Sequence, residues 1–301
     1  MTHVRTTAIY GLGSMGYGIA ASALAGGHAV YGYDTNSDQM ARFQSEGGLI
    51  GAVEDVGAEF EVVVVVVLNA AQTQSVLFGQ NGVVQHLKPG AVVISCATVP
   101  PEFARDMAAR CVEYGVHYLD APISGGSVKA AQGQLSVMAS GTKDAFDAAR
   151  PVLKSISETV FELGDTAGAG SAMKAVNQLL AGVHIATMAE ALTFGITQGV
   201  DPEQFLEVIS KCAGSSWMLE NRAPHIIAGD YTPHSAVNIW LKDLGIVLDI
   251  AKSAGFSAPV TAAALQQFVA AAGQGYGLED DAAVAKVYAR NAGLALPGDE
   301  I

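Results

Sequence analysis

Cysteine, basic charge and long apolar runs are all scarce in this 301-residue chain, and each shortage excludes something. The cysteines are three, Cys96, Cys111 and Cys212, with no CxxC pair and no Cys/His ligand spacing. An odd, widely spaced set argues against a disulfide framework and suits a reducing compartment. Lys and Arg number 16 against 29 Asp and Glu, a formal net charge of -13. So acidic a chain repels polyanions, so neither nucleic acid nor an anionic membrane is expected as a partner. A small anionic substrate is compatible with it, because a few local basic groups can override the global field. The longest unbroken apolar run, residues 62–68, is far short of the roughly 20 residues that span a bilayer. No signal-peptide pattern opens the chain, so a soluble, cytoplasmic protein is expected. The histidines at 3, 28, 86, 117, 184, 225 and 234 share no ligand spacing, so no metal site is expected.

What the chain has is apolar material: half its residues are hydrophobic, ample for a folded core. In the first half, short apolar runs at 7–10, 29–33, 62–68, 91–95 and 116–120 read as buried strands. Helical stretches at 14–25, 37–45 and 101–114 lie between them. Such alternation implies a parallel sheet with right-handed crossovers. The run at 62–68 lacks any polar alternation, which suits a central strand covered on both faces. Further strands are expected at 135–140 and 159–163.

After Gly164-Asp165 the pattern changes. No proline occurs between Pro151 and Pro202, and residues 169–199 read as one helix, ~45 Å long at 1.5 Å per residue. More helices follow at 202–211, 217–228, 235–254, 258–273 and 280–290. The expected architecture is an α/β Rossmann-type domain (1–165) and an all-α domain (166–301) joined by a long helix. The helical domain is expected to close a cleft over the first and to supply subunit contacts.

Gly11-Leu12-Gly13-Ser14-Met15-Gly16 follows the first strand and opens the first helix. In a dinucleotide-binding turn the first glycine permits the tight turn, the second admits the pyrophosphate and the third lets helix and strand pack closely. The helix N-terminus then offers N–H groups and a positive dipole end to the phosphates. Asp34 ends the next strand, 23 residues after Gly11, where a carboxylate accepts the adenosine ribose hydroxyls. The same charge repels a 2′-phosphate, and Thr35 and Asn36 offer no base to welcome one. NAD is therefore the expected cofactor.

Four further segments carry polar groups at strand ends or on helices: 95–100 (SCATVP), 120–126 (DAPISGG), 168–174 (GAGSAMK, with Asn177 and Gln178 on the next turn) and 242–244 (KDL). Taken together, in this order and over almost the whole chain, they resemble the β-hydroxyacid dehydrogenase family, which includes 3-hydroxyisobutyrate dehydrogenase. The stretches at 124–139, 164–174 and 179–185, with Ser216-Trp217-Met218 before Asn221-Arg222, resemble its L-threonate dehydrogenase branch. The resemblance implies Lys174 as catalytic general acid/base and Ser124, Gly125 and Gly126 as the holders of a substrate carboxylate. It implies Asn177 or Gln178 as the group that orients the reacting hydroxyl, and Leu68, Thr98 and Lys242 as cofactor contacts. The branch implies L-threonate oxidised at C2 to the 2-oxo acid. The Ala-rich helical half suits close packing between subunits, so a homodimer or homotetramer is expected.

The chemistry agrees with those roles. A hydroxyl that gives hydride to nicotinamide must lose its proton to a base. Lysine's ordinary pKa of ~10.4 would fall toward use as a base through burial, the positive nicotinamide and the helix's positive end. Many family members carry Asn four residues after the lysine, where this chain has Gln178, with Asn177 three after; both lie on the lysine's helix face. Taken alone, Lys174 is an ordinary solvated lysine and Trp217 and Met218 are core residues; Arg222 reads as a surface salt bridge or a polar substrate contact, and a surface ion pair is the alternative to a cofactor contact at Lys242-Asp243. Other readings are a 3-hydroxyacid dehydrogenase, an NADPH-dependent glyoxylate or succinic semialdehyde reductase, which Asp34 opposes, and a non-catalytic NAD-binding module. A 6-phosphogluconate dehydrogenase would need a basic phosphate site and a longer chain.

Overall fold

A computed structural model describes residues 4–298, and the chain divides after Lys174 into two compact units. The first runs β1 (Thr6–Tyr10), α1 (Ser14–Ala25), β2 (Ala29–Tyr33), α2 (Ser37–Ser45), α3 (Val53–Val56), β3 (Val62–Val65), α4 (Ala70–Phe78), β4 (Val92–Ser95), α5 (Pro101–Glu113) and β5 (His117–Asp120). These strands form one all-parallel sheet in the order β2-β1-β3-β4-β5. Val62 and Val64 enter the core that includes Ile19 of α1, while Val63 and Val65 enter the one that includes Leu77 of α4 and Met107 of α5. β3 is thus covered on both faces, as its unbroken valines require.

The expected strand at 62–68 stops at Val65. Asn69 caps α4 by accepting the Gln72 N–H at 2.9 Å, and the Gln72 amide oxygen takes the Leu68 N–H at 2.8 Å, so the chain turns out of the sheet. Register pairs Tyr10 with both Tyr33 and Val65, Val65 with Ser95, and Ser95 with Asp120. The strands therefore end together, and the segments after them share one edge, where open α/β sheets bind ligands.

The unit continues with β6 (Ile123–Ser124), α6 (Gly126–Ala131), β7 (Leu135–Ala139), α7 (Lys143–Ile156) and β8 (Ser157–Glu162). β6 pairs antiparallel and β8 parallel with β7. Asp120 and Ser140 exchange backbone hydrogen bonds of 3.0 and 2.8 Å, tying the end of β5 to the end of β7. α7 was not apparent from the sequence, and it holds Pro151 within it.

α8 (Ala169–Thr197) begins in the first unit and ends in the second. With a mean hydropathy of 1.5, it is long and apolar enough by length and composition to cross a membrane. α9 (Pro202–Ile209), α10 (Trp217–Ala228), α11 (Val237–Ser253), α12 (Pro259–Ala271) and α13 (Val284–Ala292) complete the helical unit. Its core gathers Ile185, Leu192, Phe205, Met218, Ile226, Leu244 and Phe268, and Trp240 stacks on Phe268 at 5.6 Å. Trp217 departs from the core reading: it opens α10 directly after the cap Ser216 and stays 58% exposed.

Candidate active site

The glycine turn has the geometry a dinucleotide needs. Gly11 sits at φ +95°, and a Cβ there would lie 2.3 Å from the Val66 carbonyl oxygen. A Cβ on Gly16 would lie 1.8 Å from the Gly11 carbonyl oxygen, so helix and turn meet only through glycine. At Gly13 a Cβ would meet nothing within 4 Å. Gly13 also caps α1 without a side chain, so no capping side chain takes the first-turn N–H groups beside Ser14 and Met15, an arrangement that suits a phosphate.

Asp34 follows β2, its Oδ2 accepting the Leu12 N–H at 2.6 Å and its Oδ1 the Asn36 N–H at 2.8 Å. A carboxylate has about four acceptor positions, so capacity remains for ribose hydroxyls. Leu68 follows β3 with 49% of its surface exposed, and Thr98 lies half-buried after β4. The residues present fit NAD.

The segment after β5 holds the second group of expected residues. Ser124 pairs with Ser136 at the end of β6, and Gly125 and Gly126 follow at φ +134° and +78°, a conformation that favours glycine. Lys174 is buried, with 8% exposed, and its Nζ donates to the Ile123 carbonyl at 2.8 Å. The lysine is therefore fastened one residue from Ser124 and is not a solvated surface lysine.

The sequence reading gave Asp120 no role. Its carboxylate accepts the N–H of Gly168 at 2.9 Å and both the N–H and the hydroxyl of Ser171, at 2.8 and 2.7 Å. Burial pushes its pKa above the usual carboxylate value, while hydrogen bonds from Ser171, Gly168 and Ser140 oppose that rise. The available signal was an acidic strand end in one marked segment and a GxGS helix start in another.

Within the helical unit the Asn177 amide donates to the Gln178 amide oxygen at 2.9 Å. Gln178 Nε2 donates to Asp243 Oδ2 at 2.5 Å, and Lys242 Nζ lies 2.7 Å from Asp243 Oδ1. The Lys242 contact is an ion pair by distance but lacks hydrogen-bond alignment. Asp243 is 2% exposed, so this is no surface pair. Both ends of the Gln178 amide are engaged, which leaves the Asn177 carbonyl as the outer end of the chain. Arg222 is likewise buried, its Nε donating to Asp281 Oδ1 at 2.5 Å, so it is not a surface salt bridge.

Comparison with known proteins adds the chemistry's lineage. A family model described as the NAD binding domain of 6-phosphogluconate dehydrogenase matches residues 6–164. One described as NAD-binding of NADP-dependent 3-hydroxyisobutyrate dehydrogenase matches residues 168–288. The chain is 47% identical to an L-threonate dehydrogenase of Cupriavidus necator over 98% of each protein. It is 45% identical to an L-threonate dehydrogenase of Escherichia coli K12 over 96% of each. A crystal structure of 3-hydroxyisobutyrate dehydrogenase from Salmonella typhimurium superposes with a TM-score of 0.89 at 43% identity, covering 94% of this chain and 99% of that one. With the glycine cradle and the buried lysine in place, the chain belongs to the 3-hydroxyisobutyrate dehydrogenase-like family and is an NAD-dependent hydroxyacid dehydrogenase.

Proposed function

We propose that this enzyme oxidises L-threonate at C2 to the 2-oxo acid, 2-dehydro-L-erythronate. The observation that carries the reading is the buried Lys174, fastened by Ile123 beside Ser124-Gly125-Gly126, in a chain similar along its length to L-threonate dehydrogenases. Ser124 and the backbone N–H groups of Gly125 and Gly126 hold the substrate carboxylate. Lys174 Nζ, in its neutral form, accepts the proton of the reacting hydroxyl. Asn177 orients that hydroxyl, and Gln178, engaged by Asp243, keeps Asn177 in place. NAD, when bound, would supply the acceptor for the C2 hydride. Gly11 to Gly16 cradle its pyrophosphate, Asp34 favours it over NADP, and Leu68, Thr98 and Lys242 complete its contacts.

Residues 166–301 serve as the substrate and oligomerisation domain in this reading. Met173, Val176 and Leu180 form an apolar stripe on α8 at helical spacing, each close to half-exposed, which supports a homodimer or homotetramer. Three free thiols suit a cytoplasmic enzyme.

A second reading, oxidation of 3-hydroxyisobutyrate, is favoured by the name of the Salmonella relative. NADH formation from NAD, followed with threonate, erythronate, glycerate, 3-hydroxyisobutyrate and 3-hydroxypropionate, separates the two. The highest kcat/KM is expected with L-threonate, and a higher value with a 3-hydroxy acid overturns the assignment. Lys174→Ala should retain NADH binding and lose turnover by orders of magnitude.

A further inference from the structure

We propose that Asp120 is a positioning residue for Lys174, acting through the first turn of α8. The proposal rests on Lys174 as the proton acceptor and concerns what holds that lysine in place. Asp120 is 1% exposed at the end of β5. Its Oδ2 takes the N–H groups of Gly168 and Ser171, and its Oδ1 takes the Ser171 hydroxyl. Ser140 adds a hydroxyl contact to Oδ2 at 3.3 Å and itself accepts the Gly170 N–H at 2.9 Å. The opening N–H groups of α8 are thus held by two side chains whose own backbones are bridged to each other.

An ordinary helix cap is the flanking residue, reaching two or three positions along its own chain. Asp120 reaches donors 48 and 51 positions away, from the segment that leads into Ser124. Three residues beyond Asp120, Ile123 presents its carbonyl; three residues beyond Ser171, Lys174 presents its Nζ. The strand segment and the helix turn are joined by two rungs, Asp120–Ser171 and Ile123–Lys174. A shift of one rung displaces the other. The approach is close: a Cβ on Gly170 would lie 2.4 Å from the Met138 carbonyl oxygen and 2.7 Å from that of Asp120.

The titratable groups that feel Asp120 are the Cys96 thiol and the Tyr118 hydroxyl. Burial first, and Asp120 second, push the Cys96 thiol up to about 12. Burial also holds Tyr118 neutral. The exposed Arg105 lies beside Gly168. Removing the carboxylate bonded to Ser171, one helix turn before Lys174, should favour the neutral form of the lysine.

The test compares Asp120→Ala, Asp120→Asn and Ser171→Ala with Lys174→Ala in the full-length enzyme, with NADH titration and thermal melting to confirm folding. Asp120→Ala should lower kcat about 10- to 100-fold, the scale of a small misplacement of a reacting group, with NADH affinity unchanged. Asp120→Asn should lower kcat less and move the rising limb of its pH profile to lower pH. Ser171→Ala should lower kcat a few-fold. If Asp120→Ala does not fold, the other two variants decide the matter. A folded Asp120→Asn with wild-type kcat and an unmoved limb overturns the proposal, as does a lower melting temperature alone. Turnover retained in Lys174→Ala would instead overturn the role of the lysine. An inactive Lys174→Ala beside a wild-type-like Asp120→Asn would defeat only the Asp120 proposal.

Discussion

The two units satisfy their carboxylates in different ways. In the first, Asp34 and Asp120 accept backbone N–H groups from Leu12, Asn36, Gly168 and Ser171, mostly at glycine-rich turns. In the helical unit side chains take a larger share. Asp281 accepts from Arg222 and from Trp240 Nε1 at 2.8 Å, Asp243 accepts from Gln178, and Asp280 contacts His225 Nδ1 at 2.9 Å beside the backbone N–H groups of His234 and Ala282. A backbone donor survives substitution of its own side chain by anything but proline, whereas a side-chain donor is removed by one codon. The first unit should therefore respond to substitution at its carboxylates chiefly in function, and the helical unit at theirs in stability.

The strongest challenge to this contrast is Arg222→Leu. Asp280 and Asp281 are both fully buried, and the arginine is the cation between them, 2.5 Å from Asp281 Oδ1 and 3.8 Å from Asp280 Oδ1. Removing one partner of a buried ion pair costs about 3–5 kcal/mol, because it strands an uncompensated charge. The melting temperature should fall sharply in calorimetry, and a change within error would mean the cluster contributes nothing to folding.

Asp34→Ser examines the other side. It deletes an acceptor of ribose hydroxyls and the charge that repels a 2′-phosphate, while the N–H groups of Leu12 and Asn36 lie where solvent or the serine hydroxyl can serve them. Hydrogen bonds to charged groups contribute about 1.5–3 kcal/mol, so NADH affinity should fall on that scale and the preference over NADPH should narrow. Fluorescence titration of both nucleotides measures this. A melting temperature that falls as far as in Arg222→Leu would erase the distinction between the units.

The same contrast explains what could be read in the sequence. Gly11, Gly13, Gly16 and Asp34 belong to one local βαβ stretch, and glycine at fixed offsets is a signature of backbone conformation. The five parallel strands were equally plain, because apolar runs and their punctuation are local. α7 was obscured by the Pro151 inside it, and the end of β3 depended on how Asn69 and Gln72 bond. Partners such as Gln178 with Asp243 or Arg222 with Asp281 lie 65 and 59 positions apart. Such pairs have no spacing rule, so the burial of Arg222 and of Asp243 is not legible in the sequence. Asp120 was hidden for a related reason, since its donors belong to another segment's backbone.

Acid titration separates contributions within the helical cluster. Burial would raise Asp280, but the N–H groups of Ala282 and His234, the Arg222 charge and His225 win and hold its pKa below the ordinary 3.8. A carboxyl lowered on folding contributes stability that is present above its unfolded pKa and is lost as pH falls through the folded value. Asp281, raised mainly by burial, acts with the opposite sign as pH rises above 3.8. Asp280→Asn should therefore flatten the stability profile only at its most acidic end, below 3.8. Flattening confined to higher pH would reverse the roles assigned to the two aspartates.

The smallest effects should come from polar partners that are local in both units. Thr142 caps α7 by accepting the Ala145 N–H at 3.2 Å, and Asp201 caps α9 through the N–H groups of Glu203 and Gln204 at 2.9 and 3.1 Å. Each removal to alanine should cost about 0.5–2 kcal/mol, because the exposed N–H groups can turn to water once the cap is gone. Thr142→Ala and Asp201→Ala should thus lower the melting temperature by similar, small amounts although they lie in different units. If Asp201→Ala approached Arg222→Leu, the fragility of the helical unit would be general, and the identity of the buried donor would not be its cause.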